Sequence, residues 1–331
     1  MGITRHIGLI LNPMAGRDIR RLVAFASLQS TPEKLLVVRR ILAGISVYRN
    51  HVDILMPGDY EGLSSLISDE AKHQFGLRVA IIGELASPSS ADTTRWWADQ
   101  LQDAGADLII AIGGDGTQRN IAQANPMVPI LPIAGGTNNV ACWNGDQTAA
   151  GYAAGLYVTN MERYQHTLRR AKIIHVATGD KDDLALIDVA VVRQNFTGAL
   201  AVWNPEDVVA LALTVADPTR PGLSNVGGYV EPLTPEGDAI AWIDLGDSQS
   251  GSGPYYGVLA PGLMTPFYIA GHRKIALNQE VVLPTLASGG SLALDGERTI
   301  VLRPGQHAMI QARRDGPQYI LPDQILGIQI S

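Results

Sequence analysis

The 331-residue chain carries a formal net charge of −7, 46% hydrophobic residues and one cysteine, Cys142. That length predicts two domains, and the apolar content excludes a globally disordered chain. The acidic balance, with no block of Lys and Arg, excludes nucleic acid as the main partner; the single cysteine excludes an intramolecular disulfide and any cysteine-cluster metal site.

In chain order, residues 6–11 read as a first strand, followed by the turn Asn12, Pro13, Met14, Ala15, Gly16 and a helical segment carrying Arg17, Arg20 and Arg21. The apolar core of this start is too short for the h-region of a secretory signal. Thr31 as N-cap, Pro32 and Glu33 in the first turn and Gly44 as the stop predict a helix. Strands follow at 52–56 and 78–82, with a helical stretch at 60–74 between them. Ser89 and Asp92 have capping-box spacing for a helix that places Trp97, Leu101 and Ala104 on one face and closes at Gly105. Strands alternating with helices predict a parallel sheet.

Residues 108–117, LIIAIGGDGT, are the most specific stretch. A continuous apolar run predicts a strand buried on both faces. Gly113, Gly114 and Gly116 then bare the backbone around Asp115, with Thr117 as the N-cap of a short helix. From the residues alone this is either a tight strand-to-helix turn or a phosphate site at a helix N-terminus. Residues 129–134 form another strand ending in Gly135, Gly136, Thr137, Asn138 and Asn139. In a parallel sheet the carboxyl ends share one edge, so the turns at Asn12, Asp115 and Thr137 are expected to converge.

From about Arg169 the pattern becomes one of short β runs: 172–178 and 184–192 around the hairpin signature GDKDD, then 239–245, 255–259, 291–294, 299–302 and 308–312. These predict a mainly antiparallel β domain at 161–331 after an α/β nucleotide-binding domain at 1–160, with the last residues as candidates to return to the first domain. Residues 215–232 read as irregular and bordering a cleft, and 246–254 as a mobile loop. The stretch 254–270 is too broken by Gly and Pro to cross a membrane as a helix. His272, Arg273 and Lys274 read as an exposed strand-edge cluster, and Cys142 as a small buried residue. Asp295-Gly296 is a strong two-residue hairpin signal. No GxxxxGK[ST] occurs, and no GxGxxG follows the first strand.

NPMAG, GGDGT, GGTNN and DGE thus stand in one order on a chain that is α/β first and β second. The combination resembles the superfamily of NAD kinases and diacylglycerol-type lipid kinases, and within it most closely the ATP-NAD kinase-like AcoX family named after acetoin catabolism. The resemblance spans most of the chain. It implies a Rossmann-like N-terminal domain in which Gly113, Gly114, Gly116 and Thr117 cradle the phosphates of ATP. Asn12, Gly136, Thr137, Asn138 and Asn139 would lie at the nucleotide. Asp115 would activate the acceptor hydroxyl or hold Mg²⁺, with Asp295 as the second metal ligand and Glu297 as the second candidate base. The implied activity is phosphoryl transfer from ATP, or polyphosphate, to a hydroxyl of NAD or a related nucleotide.

Two alternatives stand beside it. A diacylglycerol-type lipid kinase would need an apolar entrance, for which 255–269 is the candidate. A non-catalytic nucleotide-binding regulatory protein is suggested by Asn139 where lipid kinases carry an acid, and by the lack of any Asn-Glu dipeptide of the NAD kinase type. The expected setting is a cytoplasmic protein with small-molecule nucleotide ligands, no transmembrane segment and homo-oligomeric assembly.

Overall fold

The computed structural model describes residues 4–12, 30–59, 61–83, 91–136, 138–194, 205–296 and 298–328. Residues 13–16 of the NPMAG turn, Arg17, Arg20, Arg21, Ser89, Thr137 and Glu297 lie outside the described residues.

The first half alternates strands and helices: β1 (Arg5–Leu11), α1 (Thr31–Ile45), β2 (Val52–Pro57), α2 (Leu63–Glu70), β3 (Val79–Ile82), α3 (Ala91–Asp103), β4 (Leu108–Gly113), α4 (Asp115–Ala124), β5 (Ile130–Ala134), α5 (Gln147–Thr159), α6 (Met161–Tyr164) and β6 (Arg169–Arg170). The second half holds β7 (Ile173–Ala177), β8 (Asp182–Ala185), β9 (Asp188–Val192), β10 (Val208–Leu213), α7 (Leu223–Gly228), β11 (Ala239–Gly246), β12 (Ser252–Ala260), β13 (Leu263–Ala276), β14 (Glu280–Val282), β15 (Gly290–Leu294), β16 (Arg298–Leu302), β17 (Met309–Arg313), β18 (Gln318–Tyr319) and α8 (Pro322–Ile328).

The first sheet has the order β3-β2-β1-β4-β5-β18-β6. Strands β1 to β5 are mutually parallel. One member comes from elsewhere: β18, from near the C-terminal end, runs parallel to β5 and antiparallel to β6. One face is covered by α1 and α5, the other by α3 and α4, with Trp97 and Leu101 of α3 buried as their helical spacing predicts. Every residue of β4 from Leu108 to Ile112 is at most 1% exposed, the signature of a strand enclosed by helices on both sides.

Helix α1 differs from expectation at both ends. Its cap is Ser30, one residue before Thr31, because Glu33 can reach back: the Ser30 hydroxyl accepts the Glu33 amide, and Glu33 accepts the Ser30 amide at 2.6 Å. Gly44 does not stop the helix, which continues to Ile45. A Cβ on Gly44 would lie 2.1 Å from the Thr148 carbonyl oxygen of α5, and one on Gly151 of α5 would lie 2.0 Å from that of Ile41. The two glycines therefore let α1 and α5 cross almost backbone to backbone.

The second half is a sandwich. A four-stranded sheet, β14-β17-β7-β8, packs on a seven-stranded one, β12-β13-β11-β10-β9-β15-β16, across a core containing Ile174, Val176, Val191, Trp242, Leu292 and Ile310. The run 184–192 is not one strand: β8 pairs with β7 in the small sheet, and after Leu186 and Ile187 the chain enters the large sheet as β9. Residues 215–232 contain helix α7, whose Leu223 and Val226 cover the other face of the large sheet. Of the 246–254 segment, residues 247–251 form a tied turn between β11 and β12, with the Asp247 carboxylate accepting the amides of Gln249 and Ser250. The 272–274 cluster lies on β13 beyond its pairing with β12, which ends at Ile269, so these exposed residues pair on one side only, with β11, as the strand-edge reading expects; Glu231 pairs with His272 and Lys274, and Arg273 stacks over Trp242. Among the described residues no helix is long and apolar enough to cross a membrane.

Candidate active site

In the first sheet β1 is flanked by β2 on one side and β4 on the other. Successive connections depart to opposite sides at this point, which opens a crevice beyond the carboxyl ends of the strands. The three strand-end turns meet here. Asn12, just past β1, donates from Nδ2 to Thr117 Oγ1 at 2.8 Å, and its amide donates to the Ile112 carbonyl. The buried Lys34 of α1 reaches the Asn12 carbonyl with Nζ at 3.4 Å.

The two glycine turns interlock. A Cβ on Gly136 would stand 2.5 Å from Gly114 Cα, and one on Gly114 would stand 2.7 Å from the Asn138 carbonyl oxygen. The Asp115 amide donates to that same carbonyl at 3.0 Å. Helix α4 begins at Asp115 with Gly114 as N-cap, so Thr117 is not the cap but sits in the first turn, its hydroxyl engaged by Asn12. The amides of Gly116 and Thr117 follow at the helix start and have no hydrogen-bond partner among the described residues. Such amides, with the helix dipole behind them, suit phosphate oxygens. Cys142 is buried with its Sγ at 3.3 Å from the Gly113 carbonyl, and burial pushes its thiol well above the ordinary value.

Asp115 is 5% exposed. Its Oδ2 accepts the Val140 amide at 3.0 Å and its Oδ1 the Ala141 amide at 2.8 Å. Asn139 turns into its own loop, accepting the Gly135 and Gly136 amides and donating to the Gly136 carbonyl. An aspartate there would lose that last bond, since a carboxylate cannot donate.

Asp295 is a correction to the sequence reading. It sits in the β15–β16 turn with Asp295 and Gly296 both at positive φ, 51° and 67°, as the hairpin signal predicts. Its carboxylate, fully enclosed, accepts the amides of Leu186, Ile187 and Asp188 at 2.7 to 3.1 Å and lies 3.3 Å from Arg119 Nε. Burial raises this carboxyl from its ordinary value against the opposing pull of the amides and Arg119. The residue therefore fastens the crossover between the two β-sheets. Both of its oxygens are engaged by protein donors, and among the described residues no group of three or more His, Cys, Asp or Glu is placed to hold a metal.

Sequence reasoning also missed Arg119. From α4, two residues after the GGDGT motif, it donates to Asp183 at 2.6 Å and to the Leu184 carbonyl at 2.7 Å, besides pairing with Asp295. A buried Arg this close to a glycine turn is itself a signal, since such a charge requires buried acceptors. The second miss is Arg220. A cleft of about 650 Å³ opens beside the GGTNN turn, lined on one side by Gly136, Asn139 and Trp143 and on the other by Thr219, Arg220 and Pro261. The lining is mostly polar and comes from both halves of the chain. The 215–232 segment does border it, as its Pro- and Gly-rich composition suggested.

With this geometry in hand, comparison with known proteins is decisive for the family. Residues 36–141 match the ATP-NAD kinase N-terminal domain, and residues 172–315 match the acetoin catabolism protein X C-terminal domain. Acetoin catabolism protein X of Cupriavidus necator is 30% identical over 313 residues, covering 92% of this chain and 86% of that protein. The chain belongs to the acetoin catabolism protein X family. Its fold is that of the NAD kinases: yeast NADH kinase, solved in complex with NADH, aligns over 99% of this AcoX-family chain and 87% of its own, with a TM-score of 0.52 at 14% identity.

Proposed function

We propose that this AcoX-family protein binds a nucleotide across the strand-end crevice and transfers a phosphoryl group from ATP, or polyphosphate, to a hydroxyl of NAD or a related nucleotide. The observation that carries this reading is the meeting of the Asn12, GGDGT and GGTNN turns beside a polar cleft built from both halves. The mostly polar lining also favours a nucleotide over the acyl chains of a diacylglycerol; the 255–269 stretch forms most of the β12–β13 hairpin, with Phe267 and Ile269 buried in the core and Tyr256 and Met264 exposed.

In this reading the Gly116 and Thr117 amides hold the donor phosphates by positioning and charge. Asp115 orients the acceptor hydroxyl, and Glu297 is the second candidate to accept its proton. The acceptor oxygen bonds to the terminal phosphorus, the bond from that phosphorus to the bridging oxygen breaks, and the hydroxyl proton passes to the base. Asp295 takes no part at the reacting atoms, and no step is assigned to a metal on these side chains.

A second reading is favoured by one specific observation. Asp115 and Asp295, the described carboxylates expected to work on ligand, are both engaged by backbone amides, which suits a nucleotide-binding regulator that performs no transfer. A labelled-phosphate assay with ATP and polyphosphate over a panel of NAD, NADH, nucleosides and diacylglycerol separates the two. Transfer to a nucleotide hydroxyl supports the kinase; nucleotide binding in calorimetry without transfer from any donor supports the regulator.

A further inference from the structure

Among the described residues that line the 650 Å³ cleft, Arg220 is the one cation. It enters from the segment before α7 and is held on two sides. Its Nη1 donates to the Asn139 carbonyl of the GGTNN turn at 3.2 Å, and its Nε lies 3.6 Å from Asp217 Oδ2. Asp217 is fixed in turn by the Thr219 amide and hydroxyl, at 2.8 and 2.7 Å. Burial pushes the Asp217 carboxyl up, but these hydrogen bonds and Arg220 outweigh it and hold the group below its ordinary value, as an anion.

The guanidinium thus has its orientation set before any ligand arrives, so binding need not order it. Its side chain remains 37% exposed, and Nη2 has no partner among the described residues. A planar fork with donors in hand matches the oxygens of a phosphate. Asp323, the acid on the far wall, has one carboxylate oxygen engaged by the Trp143 indole N–H at 3.1 Å.

We propose that Arg220 is the anion-recognising residue of this cleft and that the ligand seated against the GGTNN turn carries a phosphate group at that point. This rests on the cleft being the nucleotide site, and not on turnover. It gives the ligand a class, a nucleotide in preference to its nucleoside, and it makes Arg220 a specificity residue distinct from the α4 amides.

Calorimetric titration of adenosine and of AMP into the full chain tests it, using wild type, Arg220→Gln and Arg220→Lys. Wild type is expected to bind AMP at least tenfold more tightly than adenosine. Arg220→Gln should bring the ratio below twofold while leaving adenosine affinity unchanged, and Arg220→Lys should fall between, keeping the charge without the fork. Equal wild-type affinities overturn the inference. So does an AMP preference that survives in Arg220→Gln, which would move the phosphate to another anchor such as the α4 amides. Failure of both ligands to bind overturns the cleft as a nucleotide site, and the inference with it.

Discussion

Asp115 Oδ2 accepts the backbone N–H of Val140 at 3.0 Å. With the Ala141 amide on the other oxygen, the acid of GGDGT bolts the loop after GGTNN to the start of α4. Its position at the ligand crevice and its structural duty are therefore inseparable.

Asp115→Asn leaves one of those two amides facing an NH₂ group instead of an acceptor. A buried donor without a partner costs about 1–3 kcal/mol. The variant should therefore unfold at lower urea, with an unchanged m-value. Wild-type stability would show that the carboxylate is not bonded as described.

Asp295 and Arg119 form a buried pair whose side chains are 0% and 4% exposed. Breaking such a pair from one side costs about 3–5 kcal/mol because the remaining charge stays buried. Asp295→Ala and Arg119→Leu should each lose stability on that scale, and the double variant clearly less than the sum, as read in a double-mutant cycle of urea midpoints. Additive losses would mean the two residues do not interact.

Gly44→Ala introduces a methyl 2.1 Å from the Thr148 carbonyl oxygen. Helix propensity alone would favour Ala, by roughly 1 kcal/mol. Overpacking against backbone costs about 1–3 kcal/mol or more, so the net change in thermal unfolding is destabilising. A rise in Tm would contradict the close crossing of α1 and α5.

Lys172 is buried, with Nζ donating to the Thr234 and Ala239 carbonyls at 3.2 and 2.9 Å. Burial, the largest cause, pushes its pKa down from 10.5 to about 8. Between those values the unfolded chain holds a proton that the folded chain has released, so the Lys172 contribution makes stability rise with pH from about 8 to about 10.5. Urea midpoints across that range should climb more steeply in wild type than in Lys172→Met. Parallel slopes would remove Lys172 as the cause.

Much of this architecture was legible in the sequence, and the limits have a common physical source. The 108–112 run shows its burial in its own composition, and Asp295-Gly296 shows its turn, because both are local. Convergence of the Asn12, Asp115 and GGTNN turns followed from parallel-sheet geometry. What misled were residues whose partners lie far along the chain. Gly44 resembles a helix stop until α5 crosses it, and Asp295 resembles a ligand-facing acid until Leu186, Ile187 and Asp188 enclose it, more than 100 residues earlier. Arg220 has no local signature; its meaning comes from the Asn139 carbonyl 81 positions away.

The most direct test of the proposed transfer is a labelled-phosphate assay with NAD and related nucleotide acceptors, comparing wild type, Asp115→Asn and Gly44→Ala at a temperature where all three are folded. Gly44→Ala serves as a destabilised control whose change lies at the α1–α5 crossing. The account predicts transfer by wild type and Gly44→Ala at similar rates, and a loss of at least a hundredfold in Asp115→Asn. Equal rates in all three, or nucleotide binding with no transfer by wild type from ATP or polyphosphate, would contradict it.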